Sequence, residues 1–199
     1  LFNKELRRDP HAKMGWFVVI GTLPIAALGV AFKDVIENDL RNLWIVAAML
    51  VGIGFVLLLA DNLAKHNLEE KDITLPKAVV FGFAQALALI PGVSRSGGTI
   101  AAGLFMGFKR DVAARYSFLL AIPAVFASAL FEVPNIGQDK FVNWPATIVA
   151  TLVAFVIGYL VIAQLMKYLA TKTFAPFVIY RVGLGVALML LLLTNTISA

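Results

Sequence analysis

Four stretches of this chain run for 18 residues or more without a charged side chain. Residues 14–32 and 42–60 are 19 residues each, closed by Lys13 and Lys33 and by Arg41 and Asp61; residues 141–166 number 26, and 182–199 number 18. About 20 apolar residues carry a helix across roughly 30 Å of hydrocarbon. Backbone amides in lipid must be paired internally, which leaves helices or closed barrels. No segment alternates with the two-residue period of a barrel strand. The composition agrees, at 60% hydrophobic and 15% charged residues, against about 25% charged in soluble domains. The chain therefore reads as an all-α integral membrane protein, a single transmembrane domain over 1–199. It is a polytopic bundle with spans expected at 14–33, 42–61, 112–131, 145–167 and 177–196.

A sixth apolar region, 78–108, breaks in the middle. Residues 78–94 and 96–108 hold no charge, and Arg95 stands alone between them. Each half has roughly 13 residues, about 20 Å as helix and too short to cross. Pro91 cannot donate a backbone hydrogen bond and should stop the first half-helix; Gly92 permits the turn. The expected geometry is a re-entrant hairpin, tolerated only where its irregular backbone is buried in protein or faces a wet cavity.

Basic residues support this. Lys4, Arg7, Arg8 and Lys13 precede the first span; Lys65, Lys71 and Lys77 follow the second; Lys109, Arg110 and Arg115 follow the hairpin; Lys167 and Lys172 precede the last span. Alternate loops carry only Lys33, Arg41 and Lys140. With 78–108 returning to its starting side, every rich loop is cytoplasmic, as the positive-inside rule requires. A full crossing would put 109–115 outside. The net charge of +5 is thus an orientation signal, and nucleic acid is not an expected partner.

The chain has no cysteine, which removes disulfides and thiolate metal sites. His11 and His66 read as solvated loop side chains. The polar opening segment 3–9 reads as a loop between spans, with an N-terminal part expected before Leu1. Weak internal echoes, 21–29 with 150–158 and 56–59 with 190–193, read as shared apolar composition. A hairpin followed by three spans is a plausible repeat unit.

The chemistry concentrates in Ser94-Arg95-Ser96-Gly97-Gly98-Thr99. An arginine at bilayer depth costs roughly 2.5–3.5 kcal/mol on insertion scales, and intramembrane charges are functional by default. The segment opens a half-helix, whose first N–H groups are unpaired and whose dipole is positive there. Glycines allow a close approach, the hydroxyls donate, and the guanidinium fork matches two phosphate oxygens. Together these suit a phosphate or diphosphate. The Gly-Lys-Ser/Thr ending of a Walker A loop is absent. Taken singly, serine and glycine also serve as packing residues in membrane helices. Gln85 reads equally as packing glue or a substrate contact, and Arg181 equally as an interfacial snorkelling residue or a second phosphate contact.

The segment Ala84-Gln85-Ala86-Leu87-Ala88-Leu89-Ile90-Pro91-Gly92-Val93-Ser94-Arg95-Ser96-Gly97-Gly98-Thr99-Ile100 resembles the second signature of the bacterial undecaprenyl-diphosphate phosphatases of the bacitracin-resistance type. Arg115-Tyr116-Ser117-Phe118-Leu119-Leu120-Ala121-Ile122-Pro123-Ala124 and Tyr180-Arg181-Val182-Gly183 match its downstream pattern. The resemblance implies six spans, two re-entrant hairpins and a cavity open to the outer face of the bacterial plasma membrane. It implies a membrane phosphatase that converts a C55 polyprenyl diphosphate to the monophosphate, recycled for peptidoglycan. By the same match Arg95, Ser94 and Thr99 are catalytic, with Ser94 open between nucleophile and phosphate contact. Ser96, Gly97, Gly98, Gln85 and Arg181 bind substrate. The family's first signature, glutamates followed by Pro-x-Ser-Ser-x-Gly-His, has no counterpart in these residues. The acid-base group and the ligands of a divalent cation, Mg or Ca, are expected in the part before Leu1, so these residues alone are expected to be inactive. Membrane lipids and a second copy are the further expected partners. The rival reading is a transporter or flippase for an anionic lipid, since broken helices also face anions there.

Overall fold

A computed structural model describes residues 9–136 and 143–198. Expectations that rest on Lys4, Arg7, Arg8 and Lys140, or on the side chain of His11, lie outside the described residues. Every regular element among them is helical: α1 Pro10–Ala31, α2 Leu43–Leu63, α3 Leu75–Ala86, α4 Arg95–Phe105, α5 Arg110–Ile136, α6 Trp144–Leu169 and α7 Ala175–Leu193. Five of them, all but α3 and α4, contain segments long and apolar enough to cross a membrane. This is a multi-pass membrane protein. The start signals are local. The Asn42 side chain accepts from Trp44 N at 2.8 Å and that of Asn143 from Ala146 N at 3.2 Å, satisfying amides that lack a helical acceptor.

α3 runs on through a 3-10 turn at Leu87–Leu89, breaks at Pro91-Gly92, and α4 returns packed against it. Both ends of this pair lie at one end of the bundle. Leu68, before α3, pairs with Phe108, after α4, and Lys109 Nζ lies 2.7 Å from Glu69 Oε1. That common end is what a re-entrant hairpin requires. Gly92 turns at φ +93°, and a Cβ there would lie 2.5 Å from the Val46 carbonyl oxygen of α2, so both its backbone angle and its space exclude a side chain.

The core sits where α3, α4 and α5 meet. Phe81 packs edge-on against Tyr116 with ring centroids 4.7 Å apart and lies 5.8 Å from Phe108; all three, with Leu104 and Leu120, are buried. α6 is apolar and exposed along its span, as a lipid-facing helix should be.

α2 and α7 pack along each other in opposite directions, because Asp61 near the end of α2 accepts from Phe174 N just ahead of α7 at 3.1 Å. One shift of register carries Val51-Gly52-Ile53-Gly54 onto Val182-Gly183-Leu184-Gly185. A Cβ on Gly54 would come within 2.8 Å of Val182 Cγ2, and one on Gly185 within 2.7 Å of Val51 Cγ2. Such reciprocal contacts are what a two-fold axis between the helices produces. This match is distinct from the echoes 21–29 with 150–158 and 56–59 with 190–193.

At the Asp61 end the charges are paired. Asp61, 4% exposed, accepts from Arg110 Nε and from Phe174 N. His66 is not an ordinary solvated side chain. It sits at φ +49° and folds back, with Nε2 3.1 Å from the Asp61 carbonyl oxygen.

Candidate active site

The break in the hairpin creates a cavity of about 450 Å³, within the usual size of small-ligand sites. Ser94, Arg95 and Ser96 line it from the head of α4, Ser117 and Phe118 from α5, and Ala88 from the turn after α3. Ser94 caps α4. Its Oγ accepts from Gly97 N at 3.3 Å and lies 3.4 Å from Ser96 Oγ. The amides of Arg95 and Ser96 remain at the helix head, where no preceding turn supplies acceptors. Ser94 itself sits at φ +67° and ψ 122°, a conformation costing a non-glycine residue about 1–3 kcal/mol and found mostly at functional sites.

Arg181 explains how the strained turn is held. Its Nη2 donates to the carbonyl oxygens of Gly92 at 2.8 Å and Val93 at 3.0 Å. The guanidinium therefore neither snorkels to the interface nor lines the cavity. It reaches from α7 to the turn and fixes the two residues before Ser94.

The structure divides the expected site into a wall and a backing. Ser94, Arg95 and Ser96 form the wall. Thr99 is fully buried behind it, with its hydroxyl 2.8 Å from Arg95 O, 3.2 Å from Ser96 O and 2.6 Å from Ser117 Oγ. Thr99 braces α4 against α5; it does not reach the cavity. Gly98 also faces protein: a Cβ there would lie 3.0 Å from the Ala84 carbonyl oxygen, and one on Gly97 3.3 Å from Ser94 Cβ. Gly98 lets α3 and α4 pack closely, and Gly97 lies against Ser94 and Ile53 of α2. Gln85 is fully buried on α3, away from the wall, with neither amide atom hydrogen-bonded among the described residues.

Ser117 is the wall residue that motif chemistry missed. Its signal was present in the Arg115-Tyr116-Ser117 segment, but a lone serine in a membrane helix reads as packing. Arg95 is half-buried and has no carboxylate within ion-pair distance among the described residues. The cavity wall thus offers one unpaired cation, three hydroxyls and a helix N-terminus, all of them anion-binding groups.

The family model described as bacitracin resistance protein BacA matches residues 1–187. The chain belongs to this family. An undecaprenyl-diphosphatase of a Nocardioides species is 50% identical over 200 residues, covering 100% of this chain and 73% of that protein. Undecaprenyl-diphosphatase 2 of Agrobacterium fabrum is 51% identical over 189 residues, covering 94% and 68%. The undecaprenyl-diphosphatase of Clavibacter michiganensis is 52% identical over 192 residues, covering 96% and 71%.

Proposed function

We propose that these residues form the diphosphate-holding part of an enzyme that hydrolyses undecaprenyl diphosphate to undecaprenyl phosphate and inorganic phosphate, and that the diphosphate sits in the cavity headed by Ser94, Arg95 and Ser96. The observation that carries this reading is the unpaired Arg95 at the head of α4, beside three hydroxyls, in a chain whose relatives bear that activity in their names. Arg95 grips two oxygens of the terminal phosphate and stabilises the charge that spreads over them as the bond to the bridging oxygen breaks. Ser94 and Ser96 donate to the remaining oxygens, while the Ser117 hydroxyl donates to Thr99, whose own hydrogen goes to the Arg95 carbonyl oxygen. Ser94 is assigned to phosphate contact: its Oγ already accepts from Gly97 N, and no histidine or carboxylate lines the cavity among the described residues. Thr99 acts through the wall by bracing it.

The described residues bring no three His, Asp or Glu side chains together, in keeping with the expectation that the ligands of a divalent cation lie in the part before Leu1.

The reading puts the chain in the bacterial plasma membrane, with α3 and α4 entering from the cytoplasmic side and the cavity open outward. The grouping of Lys65, Lys71, Lys77, Lys109 and Arg110 near the common end of the hairpin supports that sense. Transport of an anionic lipid is not favoured, because the relatives are named for phosphate cleavage.

The test is phosphate release from undecaprenyl diphosphate by the full-length protein in detergent micelles. Arg95→Ala should lower turnover about 10³-fold or more, the scale of a transition-state arginine, with thermal unfolding unchanged. Turnover near that of the unsubstituted protein would sink the reading.

A further inference from the structure

Behind the cavity wall lies a buried polar layer that the wall chemistry does not use. Gln85 is fully buried, and its Nε2 and Oε1 both lack hydrogen-bond partners among the described residues; the Tyr116 hydroxyl, also buried, lacks one too. The two side chains belong to one layer. Phe81, one helical turn before Gln85, stacks on the Tyr116 ring at 4.7 Å, and residues four apart share a helix face. Neither lines the cavity, but each is close in sequence to a residue that does: Ala88 follows Gln85 by three residues and Ser117 follows Tyr116. α1 closes the layer from the far side, where a Cβ on Gly21 would lie 3.6 Å from the Tyr116 hydroxyl.

Buried amides and hydroxyls are almost always satisfied, by protein or by ordered water. An amide with both ends unpaired, and an unpaired hydroxyl whose ring packs on Phe81, one turn before that amide, are the groups that hold buried water, which typically makes about three hydrogen bonds. We infer that Gln85 and Tyr116 hold ordered water behind the cavity wall, and that Gln85 is a positioning residue for the hydrolysis. The inference rests on the proposed reaction for its kinetic half alone. The water acts on the wall through α3 and the turn that continues it, where Ala88 lines the cavity three residues beyond Gln85. An amide has no useful basicity, so Gln85 takes no proton.

Packing glue and water-holding make opposite forecasts for Gln85→Met, which keeps shape and removes both polar ends. If the amide merely fills space, methionine relieves two unpaired groups and leaves turnover alone. If the amide holds water, Gln85→Met keeps or raises the unfolding temperature but lowers kcat about tenfold or more, with KM within about threefold. Gln85→Asn should recover part of kcat, and Tyr116→Phe should show a smaller loss in the same sense. X-ray hydroxyl-radical footprinting supplies a readout free of activity. Tyr116, though buried, should be oxidised rapidly by adjacent water, and Gln85→Met should abolish that labelling. Unchanged kcat in Gln85→Met, or no labelling of Tyr116 in the unsubstituted protein, overturns the inference. Labelled Tyr116 in a full-length protein whose Arg95→Ala variant turns over like the unsubstituted one would instead sink the phosphatase reading of the cavity and leave the hydration site standing.

Discussion

Two helices of this bundle begin with an arginine, α4 with Arg95 and α5 with Arg110. A cation at a helix N-terminus opposes the dipole, and at either position something must offset it. At Arg110 the protein supplies the offset: the Nε donates to Asp61, a carboxylate 4% exposed that also accepts from Phe174 N. One carboxylate thereby ties the end of α2 to the starts of α5 and α7. At Arg95 the protein supplies none among the described residues and surrounds the guanidinium with hydroxyls. The same residue in the same helical position is architecture where its counter-charge is built in, and a ligand site where it is left to the substrate.

The strongest test of this contrast is Asp61→Ala. It leaves Arg110, with a side chain 25% exposed, and the Phe174 amide without their acceptor. Breaking a buried pair costs about 3–5 kcal/mol, so denaturant unfolding in detergent should shift by an amount of that order. Removing both charges, with Asp61→Leu and Arg110→Leu, should recover much of it. Arg95→Ala should cost almost no stability and nearly all activity. If Asp61→Ala unfolds like the unsubstituted protein, the two arginines are not different in kind.

A smaller effect separates gripping the substrate from holding the gripper. Arg181 touches the turn at Gly92 and Val93, where it acts on Ser94 through the backbone. Arg181→Met should lower kcat about tenfold to a hundredfold, equivalent to about 1.4–2.7 kcal/mol. KM should rise less, because Arg95 keeps its own donors. Arg181→Lys, which still donates to carbonyls but without the fork, should fall between. A pure KM effect would return Arg181 to direct phosphate binding.

The architecture was legible because each signal is local: a span is a count of uncharged residues, and the hairpin follows from Pro91-Gly92, short halves and loop charges. The cavity wall was legible for a similar reason, since Ser94, Arg95 and Ser96 are adjacent in sequence and carry anion-binding chemistry on their faces. What the sequence left open depended on which way a helix faces. Thr99 and Gly98 share the motif, yet they turn into the packing against α5 and α3. Arg181 was ambiguous because its partners are carbonyls some ninety positions away. The α2–α7 two-fold contact hid in a four-residue match that only reciprocal distances distinguish from apolar coincidence.

The smallest effect lies at the exposed edge of the paired end. Glu69 sits between Lys109 and Lys71 at 2.7 and 3.1 Å. Hydrogen bonds from Lys109 first and Lys71 second, with their charge, lower its pKa from 4.5 to about 2, and Lys71 is raised in turn by Glu69. A carboxylate whose folded pKa is depressed contributes stability that is complete above its unfolded value and is lost as pH falls through the folded one. The contribution should therefore be whole above about pH 4.5 and fade towards pH 2, and Glu69→Gln should lack that dependence. Thermal unfolding of the two proteins should differ slightly at pH 6 and converge near pH 2. Being exposed, the pairs should also be screened in 1 M salt. A difference that survived both acid and salt would mean that Glu69 holds the loop through its capping of the turn at Glu70–Asp72 rather than through charge. The paired end would then owe its cohesion to Asp61 alone.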